Sequence, residues 1–230
     1  LAARMVSPYD LNPLGTNPLE QILNDHIDFE RLKIAPIKLF VTATNVRTGR
    51  GRVFRNADVT PHVLLASACL PTMFQAVEID GDAYWDGGYS GNPSIAPLVR
   101  ECDSHDTIIV QINPIERPGT PKTAREIHNR LNEIAFNSTL IKDLRSAALL
   151  RRVADPGTGD GQLLARMRMH RIASDVMLDL GYSSKLLAEW SFFLMLRDTG
   201  RHAADEFLKR HGDDLGVRST LDVEEFLEGI

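Results

Sequence analysis

The chain has 230 residues, 43% hydrophobic and 25% charged, a balance that fits one globular domain with a real core and excludes a disordered chain or a minimal scaffold. A formal charge of -5 and a pI near 5.8 exclude a general nucleic-acid binder, which needs a basic surplus. The two cysteines, Cys69 in an apolar run and Cys102 at a helix end, read as small buried residues of a reducing, cytoplasmic setting and not as a disulfide framework.

No segment approaches the roughly 20 consecutive apolar residues that span a bilayer, and the N-terminus lacks the layout of a signal peptide. The sequence starts at Leu1, without a methionine, in what reads as the inside of a domain. A fragment of a longer chain is therefore expected.

Residues 8–18 are dense in Pro, Asn and Gly and predict a loop with no regular element, followed by a helix over Leu19 to Phe29, where apolar residues recur at helical spacing. Ile37 to Val46 reads as a strand covered on both faces. Thr48-Gly49-Arg50-Gly51 turns it towards a hairpin partner at Arg52 to Arg55. Thr60 and Pro61 open a helix that runs to Cys69 and stops at Pro71, the threonine as cap and the proline at the first helical position. Short strands at Ala76 to Ile79 and Ala83 to Trp85 flank Asp80-Gly81, a pair suited to a tight hairpin turn.

After Asp86-Gly87-Gly88 a helix is expected from Pro93 to Cys102 and a buried strand from Thr107 to Ile112, an alternation that argues for an α/β layered fold whose parallel core is only partly present. From Ala124 the pattern turns helical, with Ile127, Leu131, Ile134, Ile141, Leu144 and Ala148 on one face. Residues 155–161 form a loop. Helices are expected at Ser184 to Arg197, Arg201 to His211 and Asp222 to Leu227, the last with capping-box spacing at Asp222 and Glu225. The whole reads as a single domain over 1–230, with a sheet-containing part at 1–115 and a mainly helical part at 116–230.

Asp-Gly-Gly alone is a common turn. Its setting is more specific. Leu65-Ala-Ser-Ala-Cys-Leu-Pro-Thr-Met-Phe74, then Asp80-Gly81, then Tyr84-Trp-Asp-Gly-Gly-Tyr-Ser-Gly-Asn-Pro93 closely resembles the patatin-like phospholipase family in order and spacing. The resemblance extends back through Asn17-Pro18-Leu19 and Val41 to Asn45, and forward to Trp190, Arg197 and Gly200-Arg201, where it is similar to bacterial members. It implies a patatin-like α/β/α layered sheet, incomplete at its N-terminal side, with a helical C-terminal region.

In that family the aspartate of this motif pairs with a serine in a G-x-S-x-G elbow, without a catalytic histidine, so the resemblance makes Asp86 the catalytic acid/base, with Gly87 and Gly88 as its supporting turn. The chemistry stands on its own terms. A serine becomes a nucleophile when a base lies within hydrogen-bond reach, and a carboxylate shielded from water can accept its proton. Glycines let another backbone come close.

The departure is that no G-x-S-x-G occurs in these residues, nor a Gly-rich loop to supply oxyanion N–H groups. Ser67, Ser90 and Ser94 lack the strand-turn-helix setting of a nucleophile and read as packing or capping residues. The expectation is a lipid or phospholipid acyl hydrolase whose N-terminal segment, with serine and oxyanion loop, lies elsewhere, this chain being inactive alone. The alternative is a non-catalytic, degenerate relative that serves as a binding or regulatory module.

No cofactor is called for. The seven histidines, His26, His62, His105, His128, His170, His202 and His211, have no metal-ligand spacing and read as surface or capping residues. Arg47, Arg50, Arg52 and Arg55 read as a solvated face, with a phosphate-headgroup or peripheral membrane contact as the sharper alternative. Trp190 to Leu196 reads as a packed helix, with a lipid-binding lid as its alternative.

Overall fold

The computed structural model describes residues 7–152, 159–181, 184 and 187–227. The chain divides into two compact units, Leu1–Pro97 and Leu98–Ile230, each with its own sheet.

The first unit begins with α1 (Pro8–Leu11), a single helical turn inside the segment expected to hold no regular element. Ser7 Oγ accepts the Asp10 N–H while the Asp10 carboxylate accepts the Ser7 N–H, and Pro8 occupies the first helical position. This capping box supplies the ends of so short a helix, which composition alone does not reveal. The helix expected over Leu19 to Phe29 is two helices, α2 (Pro18–His26) and α3 (Phe29–Lys33). Asp28 accepts the Arg31 N–H at 2.9 Å and starts the second one.

β1 (Phe40–Asn45) pairs antiparallel with β2 (Gly51–Arg55) through the expected turn, where Gly49 has φ +69°. α4 (Pro61–Ser67) has the expected Thr60 cap. β3 (Val77–Ile79) and β4 (Asp82–Asp86) form a two-residue hairpin, Ile79 facing Asp82, with Asp80 and Gly81 both left-handed. The sheet order is β2-β1-β4-β3 and every neighbour is antiparallel.

Along β1 the pleat separates two roles. Val41 and Ala43 turn to the core, which Phe54, Val59, Val63, Ala66 and Tyr84 complete, with α4 packed on the sheet. Phe54 and Tyr84 meet edge to face at 5.9 Å. Each large side chain buried there contributes about 1.5–3 kcal/mol of transfer free energy. Thr42 and Thr44 alternate with the core residues and bond to the loop that follows β4.

After α5 (Ala96–Glu101), the second unit holds β5 (Asp106–Val110), α6 (Ala124–Arg152), α7 (Asp160–Arg166), β6 (Arg168–Ile172), α8 (Val176–Asp179) and α9 (Trp190–His211). β5 and β6 are parallel, from Asp106 opposite Arg168 to Val110 opposite Ile172. The α/β class expected from sequence is thus realised, with the parallel pairing in this unit. β6 itself is absent from the sequence reading, because Arg-Met-His-Arg-Ile has neither a clean apolar alternation nor β-branched residues before its end.

α6 buries Glu133, Phe136, Asn137, Leu140, Leu144, Ala147 and Ala148. This corrects the expected face. Leu144 and Ala148 are inside, but Ile127, Leu131 and Ile134 are 43%, 59% and 51% exposed. The reason is polar anchoring. Arg117 and Arg130 hold the Glu133 carboxylate, and Asn137 donates to the Pro114 carbonyl, which turns that side of the helix inward.

α9 is one continuous helix through Gly200, where the sequence suggested two. A lone glycine lowers helix stability by about 1 kcal/mol but does not break a helix. Its apolar start is not packed as expected: Trp190 is 75% exposed and Phe207 is the residue it buries. The expected helix at Asp222 to Leu227 is a 3-10 turn, Glu224–Leu227. Residues 155–158 of the expected loop, and residues 185 and 186 of the expected Ser184 helix, lie outside the described residues.

Candidate active site

Asp86 ends β4, opposite Ala43 of β1. Its N–H donates to the Cys69 carbonyl at 2.9 Å, and its own carbonyl accepts the Thr44 hydroxyl at 2.8 Å. Both sides of the peptide are therefore tied, one to the residues just after α4 and one to β1. The carboxylate Oδ1 accepts the Gly88 N–H at 2.7 Å, across a 3-10 turn formed by Gly87–Tyr89. The side chain is half-buried, so it combines a fixed orientation with partial access.

The turn is possible only because residue 87 has no side chain. A Cβ at Gly87 would lie 2.0 Å from the Thr42 carbonyl oxygen and 2.6 Å from its carbon. The backbone after the aspartate thus lies directly against β1, and Gly87 and Gly88 are both buried.

Four hydroxyls line this contact. Thr44 Oγ1 and Ser90 Oγ are 2.8 Å apart, Ser90 also lies 3.2 Å from the Gly87 carbonyl, and Thr42 donates to Ser94 Oγ at 3.0 Å. The sequence reading missed Thr42 and Thr44. Their period-two spacing on one strand face was the available signal, but threonine is common in strands for packing reasons alone.

The serines weighed as nucleophiles are engaged in structure. Ser67 donates back to the Leu64 carbonyl at 2.8 Å, and Ser90 and Ser94 belong to the hydroxyl contact just described. Cys69, 2% exposed, donates its thiol to the Gln75 carbonyl. Burial, reinforced by the Asp86 carboxylate and opposed by a backbone hydrogen bond from Val77, pushes that thiol up to about 11. It is held protonated and is no thiolate nucleophile at neutral pH. Cys102 is half-buried, a partial correction to the expectation that both cysteines are buried, and both are free thiols.

The arginines of the first hairpin are largely spoken for. Arg47 pairs with Asp82 and Arg52 with Asp80, while Arg52 also donates to the Tyr84 hydroxyl and lies 4.5 Å above the Phe54 ring. They knit the sheet together and favour the solvated-face reading over a free cationic patch.

His170 departs from the surface role expected of it. It is fully buried, with Nε2 3.0 Å from Asp106 Oδ1 and Nδ1 2.9 Å from Thr220 Oγ1. Asp106 also takes a two-point hydrogen bond from Arg168 and the Gly216 N–H. These contacts, the Arg168 guanidinium foremost and against a burial penalty, hold its carboxyl far below the usual carboxylate range. The cluster ties the start of both parallel strands to residues 216–220.

Among the described residues no group of three or more histidine, cysteine or carboxylate side chains could hold a metal ion, and no helix is long and apolar enough to cross a membrane. Residues 11–99 match the family model described as Patatin-like phospholipase. The match takes in the whole four-stranded sheet and Asp86. No curated protein matches the chain.

Proposed function

We propose that this chain, whose residues 11–99 match the family model described as Patatin-like phospholipase, belongs to that family of lipid acyl hydrolases and carries the aspartate half of a serine–aspartate dyad. The supporting observation is the tethering of Asp86. Its N–H, its carbonyl and one carboxylate oxygen are all fixed on a turn that only glycine admits at position 87. Such rigidity suits a general base, which must stay within hydrogen-bond reach of the proton it removes.

In the proposed reaction the Asp86 carboxylate takes the hydroxyl proton of a serine as the serine oxygen attacks the carbonyl of a lipid or phospholipid ester. Backbone N–H groups hold the developing oxyanion. The proton passes to the departing alcohol, and water, activated by the same carboxylate, releases the acid. The serine and the oxyanion N–H groups come from a chain segment outside these residues.

The test is hydrolysis of p-nitrophenyl acyl esters by the complete gene product, compared with its Asp86→Asn variant and with the 230-residue chain. A general base contributes about 10²–10⁴-fold. A loss of that size in Asp86→Asn and no turnover by the isolated chain are expected. Unchanged kcat in Asp86→Asn sinks the assignment.

A second reading, a non-catalytic binding or regulatory module, draws on one observation: the chain has no G-x-S-x-G, and Ser67, Ser90 and Ser94 are committed to structural hydrogen bonds. A complete gene product without turnover favours it.

A further inference from the structure

Thr44 is 5% exposed on an inner strand of the first sheet, with Gly51 of β2 opposite it on one side and Trp85 of β4 on the other. Its hydroxyl leaves the ladder and reaches the turn that follows β4. It donates to the Asp86 carbonyl at 2.8 Å and lies 2.8 Å from Ser90 Oγ.

The donors and acceptors present fix the direction of these bonds. The Gly87 carbonyl already accepts two N–H groups, from Ser90 at 3.0 Å and from Gly91 at 2.9 Å, which occupy its two lone pairs. The Ser90 hydroxyl, 3.2 Å from that carbonyl, therefore has its better acceptor in Thr44 Oγ1. Thr44 has a single hydroxyl proton, and it goes to the Asp86 carbonyl. The chain of donation runs from Ser90 to Thr44 to Asp86, so Ser90 orients the hydroxyl that holds the aspartate's peptide.

Glycines leave the room for this chain. A Cβ at Gly51 would lie 2.8 Å from Ser90 Oγ, so the serine occupies space that a side chain opposite Thr44 would take. Further along the loop, Thr42 donates to Ser94 Oγ at 3.0 Å, and a Cβ at Gly91 would lie 2.2 Å from that oxygen. The loop after Asp86 is thus clipped to β1 by two threonine–serine pairs. The Thr42 pair holds the far end of the loop, whereas the Thr44 pair ends on the aspartate itself. Asp86 has φ -46° and ψ 132°. Its ψ sets where the carbonyl points, so a bond to that carbonyl also fixes the start of the turn in which the Gly88 N–H meets the carboxylate.

We infer that Thr44 is a positioning residue for the Asp86 carboxylate, with the Ser90 hydroxyl as its orienter. The role rests on the serine–aspartate reading of Asp86. A general base serves only while it stays within reach of the proton it removes, and a displacement of about 1 Å can cost about 100-fold in rate. Thr44 acts through the backbone, by fixing the peptide from which the side chain and its bond to Gly88 both start. A threonine kept only for the strand would tolerate valine, which has the same branched shape and is likewise favoured in strands. Valine removes the hydroxyl and little else.

Two measurements test this role. The first, amide hydrogen exchange in the 230-residue chain, depends on no turnover. Thr44→Val should speed exchange of the Gly88 N–H, the donor to the carboxylate, by about tenfold. The Val46 N–H, bonded to the Ala83 carbonyl beside it in the sheet, should keep its wild-type rate, and Thr44→Ser should restore Gly88. The second is hydrolysis of p-nitrophenyl butyrate by the complete gene product, with Asp86→Asn alongside. Thr44→Val should lower kcat about 10- to 100-fold with KM within about twofold of wild type, and Thr44→Ser should recover most of the loss. Ser90→Ala should lower kcat several-fold. Because Ser90 acts through Thr44, the double variant Thr44→Val/Ser90→Ala should be no slower than Thr44→Val. If Asp86→Asn loses activity while Thr44→Val keeps the wild-type kcat, the positioning role alone is overturned. If Asp86→Asn keeps its activity, or the complete gene product turns nothing over, the dyad and this role fall together. Losses that multiply in the double variant, or Gly88 and Val46 exchange that accelerate alike, reduce Thr44 to a support of the sheet and also overturn the proposal.

Discussion

Replacing Gly87 with alanine places a methyl group where the Thr42 carbonyl already lies. The new carbon would sit 2.0 Å from the oxygen and 2.6 Å from the carbonyl carbon, and both are backbone atoms of a paired strand. Relief requires β1 and the turn to separate by about 1 Å, which strains the hydrogen bonds from Thr44 to Asp86 and from Gly88 to the carboxylate. Overpacking typically costs about 1–3 kcal/mol. The upper end applies here, because no side-chain rotation relieves a backbone clash.

Gly81→Ala is the matched control. Gly81 has φ +81° with nothing within 4 Å of a built Cβ, so its cost is backbone strain alone, about 1–2 kcal/mol. At about 2–4 °C per kcal/mol for a chain of this size, Gly87→Ala should lower the far-UV melting midpoint by about 6–12 °C and Gly81→Ala by about one to two thirds of that. In the complete gene product Gly87→Ala should also abolish ester hydrolysis while Gly81→Ala retains it. Equal melting shifts, or a Gly87→Ala protein that melts like wild type, refute the close-approach argument.

Three further outcomes follow from the same contacts. The Asp106 carboxyl is held below its ordinary value, chiefly by Arg168. Its stabilising contribution is therefore complete above the unfolded carboxylate pKa of about 3.9 and is lost as pH falls below that. Arg168→Gln should flatten the decline in urea-denaturation free energy between about pH 5 and pH 2, and an unchanged slope would contradict the assignment. Cys69 is raised to about 11, so a Cys102→Ser chain should resist thiol reagents at pH 8 until denatured. Labelling at the rate of a free thiol counts against that. Glu133→Gln removes the carboxylate shared by Arg117 and Arg130, each about three-quarters buried, and leaves them only their backbone carbonyl partners. It should cost about 2 kcal/mol, less than the 3–5 kcal/mol of a fully buried pair, and a melt within 1 °C of wild type would remove Glu133 as an anchor.

Local chemistry made much of the first unit legible in sequence. Asp80-Gly81 specifies its own hairpin because only residues tolerant of left-handed backbone fit there, and Thr60-Pro61 starts α4 by supplying a cap and a preset φ. The Asp86-Gly87-Gly88 turn was likewise visible as residues in a row. That Thr42 and Thr44 lie under it was not, since Thr44 and Asp86 are 42 positions apart and meet only when β1 pairs with β4. The second unit shows the opposite balance. β6 forms because β5 offers it a parallel partner, and the contact between buried His170 and half-buried Asp106 spans 64 positions. Ile127, Leu131 and Ile134 predicted the inner face of α6, yet Arg117 and Arg130 turn Glu133 inward instead. Sequence determines what a short segment does by satisfying its own backbone. The structure decides which face is buried and which hydroxyl meets which turn, because those energies arise only between segments that the fold brings together.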